Sequence, residues 1–224
     1  MPSPASSDPL FEIGHPSESA LSRELRNHLE ARNSVDLAVA TLFLASERAE
    51  QSELRIDREA ILKLNRLAVC DLESDAGQFR TKPRLVADHV PPKAQDVPRL
   101  VDELCEHANR QTVMFYCAAF VLWRLNWIHP FSDGNGRVSR ALCAICLSVE
   151  IGVSTARKIT AGLLDRKDEY FAALASADKK WANSDQDYSD SEVVSEMRML
   201  LHDIYCDILL AEPQTESSPQ RDGD

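Results

Sequence analysis

A stretch of twelve residues carries the chemistry of this chain: His129, Asp133, Gly134, Asn135, Gly136, Arg137 and Arg140. His129 is the group in this stretch that can exchange a proton near pH 7. Arg137 and Arg140 stand three apart, so on a helix they leave one face and meet successive phosphates. Gly134 and Gly136 bracket Asn135 and permit a tight turn whose backbone amides point at an anion. A helix that starts there adds unpaired N–H groups and the positive end of its dipole. Asp133 lies just outside this cradle, where a carboxylate beside phosphates is the usual way to hold Mg²⁺. The set is therefore a phosphate cradle, a metal carboxylate and a general base. It is not a P-loop, because neither GxxxxGK(S/T) nor a preceding strand is present.

Two apolar helices must position these groups. The first ends at Ile128, since Pro130 disfavours helical geometry at His129 and cannot continue the ladder. Spacing predicts further helices over about 34–50, from the N-cap Asp57 through Ala68, and over 96–108, 113–128, 138–151, 165–182 and 190–211. Residues 79–92 break the pattern with Pro83, Pro91 and Pro92 among β-branched neighbours, which predicts an extended or hairpin-like excursion. The fold class expected is all-α, a helical bundle with one small β element. Residues 1–19 and 211–224, rich in Pro, Ser and charge, read as disordered tails. Between them, 20–54 reads as N-terminal helices packing on a main domain over 55–210.

The formal charge is −11, and each tail contributes −3 of it. That balance excludes a non-specific nucleic-acid binder, which needs a basic footprint. An anionic ligand must instead meet a local arginine cluster. The longest uncharged apolar run, 113–123, is too short to span a membrane, and residues 1–14 do not resemble a signal peptide. A soluble, cytoplasmic protein is expected, with secretion into a host cell as an effector the alternative. Cys143 and Cys146 form one CxxC within an apolar run, which reads as core rather than zinc or redox chemistry. His15, His28, His89, His107 and His202 have no ligand partners in the sequence, and Trp123 with Trp127 reads as core packing.

The segment from His129 to Arg140, HPFSDGNGRVSR, resembles the complete signature of the Fic (Fido) family, HxFx(D/E)GNGRxxR. Eight specified positions agree, a chance match on the order of 10⁻¹⁰ per starting position at roughly one in twenty per residue. Ala76 to Arg80, followed by Val90-Pro91-Pro92, resembles the family's upstream AGxFR…PP segment, which forms a β-hairpin flap over the active site. The resemblance extends over about 55–182.

It implies a protein adenylyltransferase: AMP moves from Mg·ATP to a Tyr, Thr or Ser hydroxyl of a target protein. His129 is then the base, Asp133 the Mg²⁺ ligand, and Gly134, Asn135 and Gly136 the anion hole. Arg137 and Arg140 would take the β- and γ-phosphates, and Phe131 would anchor the loop. Arg84, Leu85, Val86 and Ala87 of the flap would cover the nucleotide, and flap 79–92 would dock the target by strand addition. Tyr170 and Phe171 fall where the family places aromatics near adenine, and Asp178 stands where many relatives carry Asn. Many relatives are restrained by a helix bearing (S/T)xxxE(G/N). No Glu here precedes Gly or Asn, and the nearest approach is Ser46 to Glu50, followed by Gln51. The expectation is a chain restrained by a separate antitoxin-like partner or unrestrained, in a toxin, effector or regulatory setting, with homodimerisation left open. Transfer of UMP or phosphocholine, and nucleotide sensing without turnover, are the alternatives. Gly136 argues against phosphate transfer, whose branch of the family has Lys there.

Overall fold

The segment with no polar face to turn outward, Met114–Ile128, becomes the axis on which the other helices are laid. The computed structural model describes residues 20–51, 55–86, 89–188 and 191–211. In chain order its α-helices are α1 (Ala20–Gln51), α2 (Arg58–Val69), α3 (Val97–Asn109), α4 (Met114–Ile128), α5 (Asn135–Ile151), α6 (Val153–Asp165), α7 (Lys167–Asn183) and α8 (Ser195–Ala211). Short 3₁₀ turns at Ala94–Asp96 and Ser191–Val194 lead into α3 and α8. Helix α4 packs on α3, α5, α7 and α8, while α5 also receives α1, α2 and α6. Asp57 caps α2 as expected: its carboxylate accepts the Ala60 N–H at 2.7 Å.

The all-α expectation holds. The β-hairpin flap does not: among the described residues there is no strand, and the flap is one antiparallel bridge between Val86 and His89. Their N–H and C=O groups exchange bonds of 3.0 and 2.9 Å. The next hydrogen-bonded pair along such a ladder would join residues 84 and 91, and Pro91 has no N–H to give. Ala87, the fourth flap residue expected over the nucleotide, lies outside the described residues, as do the tail expected over 1–19 and residues 212–224 of the tail expected over 211–224; Ala211 itself ends α8.

The N-terminal segment is one long helix rather than several. Helix α1 is docked by buried Asn33, whose amide donates to Cys70 O at 2.7 Å, and by Leu37 and Thr41. Helix α6 is absent from the sequence expectations. Cys143 and Cys146 are buried core residues; the Cys146 sulfur lies 3.7 Å from that of Cys117, and all three are free thiols. Trp123 and Trp127 flank the buried Arg124, whose guanidinium sits 4.1 Å from the Trp127 ring and 4.5 Å from that of Trp181. Among the described residues, no helix is long and apolar enough to cross a membrane.

Candidate active site

His129 closes α4 in the left-handed conformation, φ 49° and ψ 60°, with its N–H on Leu125 O at 2.9 Å. A non-glycine residue held there is strained, and surrounding bonds must enforce it. Arg80 supplies them. This residue is 2% exposed. Its Nε donates to His129 O at 2.7 Å, its Nη2 to Pro92 O at 2.6 Å, and its backbone N–H to Pro130 O at 2.8 Å. A cation on the last carbonyls of a helix also suits the negative end of its dipole. Burial lowers the Arg80 pKa, with the charge of Arg84 adding to the effect.

His129 is half-buried, and desolvation pushes its pKa down to about 4. The Asn126 backbone opposes the shift, while the charges of Arg80, His89 and Arg84 reinforce it. The imidazole is therefore uncharged at neutral pH, and one of its nitrogens carries a lone pair.

The loop between α4 and α5 is locked from inside by Asn135. Its side chain accepts the Phe131 N–H at 2.9 Å and donates to Phe131 O at 3.0 Å. Phe131 is buried against Phe79, ring to ring at 5.8 Å. Asn135 can thus meet an anion only through its backbone. The other end of the loop is fastened by Asn65 of α2, which donates to Asp133 O at 2.9 Å and accepts the Gly77 N–H at 2.9 Å. Ser132 donates to Asp75 at 2.5 Å. Gly134 has φ 83°, and a Cβ there would lie 2.9 Å from Val69 Cγ1, so glycine is required.

Asp133 is half exposed. Its Oδ1 accepts the Gly134 N–H at 2.5 Å and its Oδ2 pairs with Arg137 at 2.9 Å. The Gly134 amide is thereby occupied, which leaves Asn135, Gly136 and Arg137 to offer the free N–H groups of the first turn of α5. Arg137 also donates to Ala68 O at 2.6 Å, holding the end of α2 to the loop. Among the described residues the Arg140 guanidinium has neither a hydrogen-bond nor an ion-pair partner. A Cβ on Gly136 would stand 3.2 Å from its Nη1, so that glycine gives the arginine room. No three His, Cys, Asp or Glu side chains come together as a metal cage among the described residues. A divalent ion at Asp133 would need phosphate oxygens for most of its shell, which suits Mg²⁺.

The remaining expected residues divide. Tyr170 is buried, its hydroxyl 3.2 Å from Asn126 Nδ2, and Phe171 stacks on it with its own ring half exposed. Asp178 accepts the Trp123 indole N–H at 2.8 Å and lies 3.6 Å from His89, which in turn meets Trp127 O at 2.8 Å. Burial raises the Asp178 pKa against the pull of Trp123 and His89. Asp178 and His89 thus pin the end of the flap to α4 and α7. Of the flap residues, Leu85 is 72% exposed, while Arg84 and Val86 lie closer in, with Arg84 near enough to bear on His129. Asn65 and Asn126 are supports that sequence reasoning misses; Asn65 does carry a signal, as a polar residue on the apolar stripe of Ile61, Leu64 and Ala68.

Residues 55–147 match the Fic/DOC family model. The chain is 37% identical over 136 residues to the protein adenylyltransferase Fic of Aedes aegypti, covering 53% of this chain and 27% of that protein. Against the protein of that name from Drosophila ananassae it is 30% identical over 137 residues, with 53% and 27% covered. This chain thus spans about a quarter of the length of those relatives. Among solved structures, a Fic-domain signaling protein from Bacteroides thetaiotaomicron superposes with a TM-score of 0.62 at 19% identity, covering 81% of this chain and 71% of that one. A Fic family protein from Desulfovibrio desulfuricans gives 0.58 at 19% identity, with 86% and 67% covered. The signature loop, its helical frame and these likenesses agree, and residues 55–147 of this chain form a Fic/DOC-type domain.

Proposed function

We propose that this Fic-type domain transfers AMP from Mg·ATP to a hydroxyl of a target protein and releases pyrophosphate. One observation carries the reading. A half-buried histidine, uncharged at neutral pH, closes one end of a loop whose other end opens a helix N-terminus bearing Arg137 and Arg140. The likeness to proteins named protein adenylyltransferase supports the same assignment.

His129 takes the proton of the incoming hydroxyl on its free nitrogen as the new oxygen–phosphorus bond forms at the α-phosphate. A placed base contributes about 10²–10⁴-fold. The backbone N–H groups of Asn135, Gly136 and Arg137 bind phosphate oxygens without reorganising, because Asn135 and Asn65 already fix the loop. Arg140 enters free of competing partners, whereas Arg137 must share or surrender Asp133. Bound Mg²⁺ would neutralise charge on the departing phosphates, with Asp133 as its carboxylate. The exposed Leu85 beside the Val86–His89 bridge offers an extended target segment an unpaired backbone edge.

The test is label transfer in cell lysate with Mg²⁺, using α-³²P-ATP and γ-³²P-ATP in parallel, with wild type beside His129→Ala. Protein label from the α position alone, lost in the variant, is the expected result. Label from the γ position, or α label that survives in His129→Ala, would refute the assignment.

A further inference from the structure

Helices α1, α5 and α6 enclose a groove of about 300 Å³ that begins at Arg137 and Arg140 and continues along α6 to Arg157 and Thr160. Its opposite wall is α1, which presents Ser34 and Ala38. The hydroxyls here are spent: Ser34 donates to Glu30 O at 2.8 Å and Thr160 to Arg157 O at 3.1 Å. The free donors are the arginines. Neither Arg140 nor Arg157 has a hydrogen-bond or ion-pair partner through its guanidinium among the described residues, and no carboxylate lines the groove among them. In a chain whose formal charge is −11, two unpaired arginines, Arg140 and Arg157, beside an Arg137 that pairs with Asp133 make a local anion site against the global field.

We infer that this groove seats the terminal phosphates of a polyphosphate, with Arg157 of α6 as a phosphate ligand beyond the two arginines of the signature. The groove shares Arg137 and Arg140 with the cradle, so a polyphosphate that extends past these two arginines enters the space that Arg157 lines. A single phosphate or carboxylate fills the cradle and stops short. A chain of two or three phosphates neutralises the further arginine as well. The inference deepens the proposed function and rests on it for which polyphosphate arrives in the cell: a nucleoside triphosphate entering, or pyrophosphate before release.

The experiment is calorimetric titration of the full chain with inorganic pyrophosphate, tripolyphosphate, orthophosphate, ATP and AMP, each with Mg²⁺. Wild type is compared with Arg157→Ala, Arg157→Lys and, as a control outside the groove, Arg198→Ala of α8. Arg157→Ala is expected to weaken pyrophosphate, tripolyphosphate and ATP roughly three- to tenfold, while orthophosphate and AMP move less than twofold. Arg157→Lys should recover part of the loss, and Arg198→Ala none of it. Pyrophosphate and ATP affinities that ignore Arg157, or a loss as large for orthophosphate as for pyrophosphate, would overturn the inference. Arg157 is exposed, and an unchanged Tm shows that its removal leaves the fold intact. If polyphosphate binding depends on Arg157 while no variant transfers α label, the proposed function fails and the phosphate site stands.

Discussion

The depressed pKa of His129 links catalysis to stability, and the link can be measured. In the unfolded chain the imidazole takes up a proton as pH falls through 6.5, whereas in the folded protein burial delays uptake to about pH 4. The unfolded state therefore binds more protons between these values, and stability rises with pH across that window. The contribution is present in full above pH 6.5 and lost on acidification to pH 4. It totals about 3 kcal/mol, of which about 2 kcal/mol falls between pH 7 and pH 5. The perturbation is His129→Asn, because Asn tolerates left-handed backbone and does not titrate. Denaturant unfolding of both proteins at the two pH values should show wild type losing about 2 kcal/mol more than the variant on acidification. His107, whose pKa burial also lowers, is common to both proteins and cancels in the difference. Equal losses, within about 0.5 kcal/mol, would mean that His129 is not desolvated and would remove the argument for a neutral base. The same pKa places the acid limb of kcat/KM for transfer below pH 5; a limb at pH 6.5 or above would refute it independently.

The two signature glycines should separate by kind. Gly134→Ala must put a Cβ against Val69 at φ 83°, and should cost roughly 2–4 kcal/mol in denaturant unfolding. Gly136→Ala meets only the end of Arg140, so its Tm should stay at the wild-type value while calorimetry shows ATP binding a few-fold weaker. Arg80→Met removes the donor from His129 O and Pro92 O; unfolding should lose about 3–5 kcal/mol, and the amides of Val86 and His89 should exchange hydrogen faster. Arg80→Lys, with the charge but not the fork, should recover only part. Ala38→Glu places a carboxylate in the groove beside Arg140 and Arg157, and calorimetry should show Mg·ATP binding roughly tenfold weaker with Tm unchanged.

Six of the eight helices are legible from apolar spacing because each has a stripe that the core needs. The two failures have distinct physical causes. The early turns of α1 expose most of their side chains, so the segment before residue 33 carries no stripe and the helix reads as starting late. Helix α6 buries only Ala156, Ile159 and Leu163, a thin one-sided stripe whose partner is contact at close range: a Cβ on Gly162 would stand 2.8 Å from Ile204 of α8. Small residues that allow such an approach look like a break in periodicity when read alone. The flap fails for the opposite reason. Its β-branched residues favour strand, but Pro91 removes the donor that a second hydrogen-bonded pair requires.

At the site, legibility follows the kind of contact each residue makes. On the proposed function, His129, Asp133, Arg137 and Arg140 would act through side-chain chemistry on a ligand, which demands particular residue types at fixed spacing, and spacing is visible in sequence. Asn65, Arg80 and Asn126 act on backbone carbonyls and amides, as donors or acceptors. A carbonyl belongs to every residue, so nothing in the sequence marks which one will be reached. The two ends of the signature loop are fastened to different elements: the His129 end to Arg80, and the Asp133 end to Asn65 of α2 and through Gly77 to the turn after it. Neither fastening lies within α4 or α5, the helices that bear the signature. A fragment holding only those helices would carry every reactive residue and still leave His129 free to quit its left-handed cap. The family match begins at residue 55, just before α2, rather than at residue 114. The smallest unit able to hold this chemistry in place includes the helix and turn that supply Asn65 and Arg80.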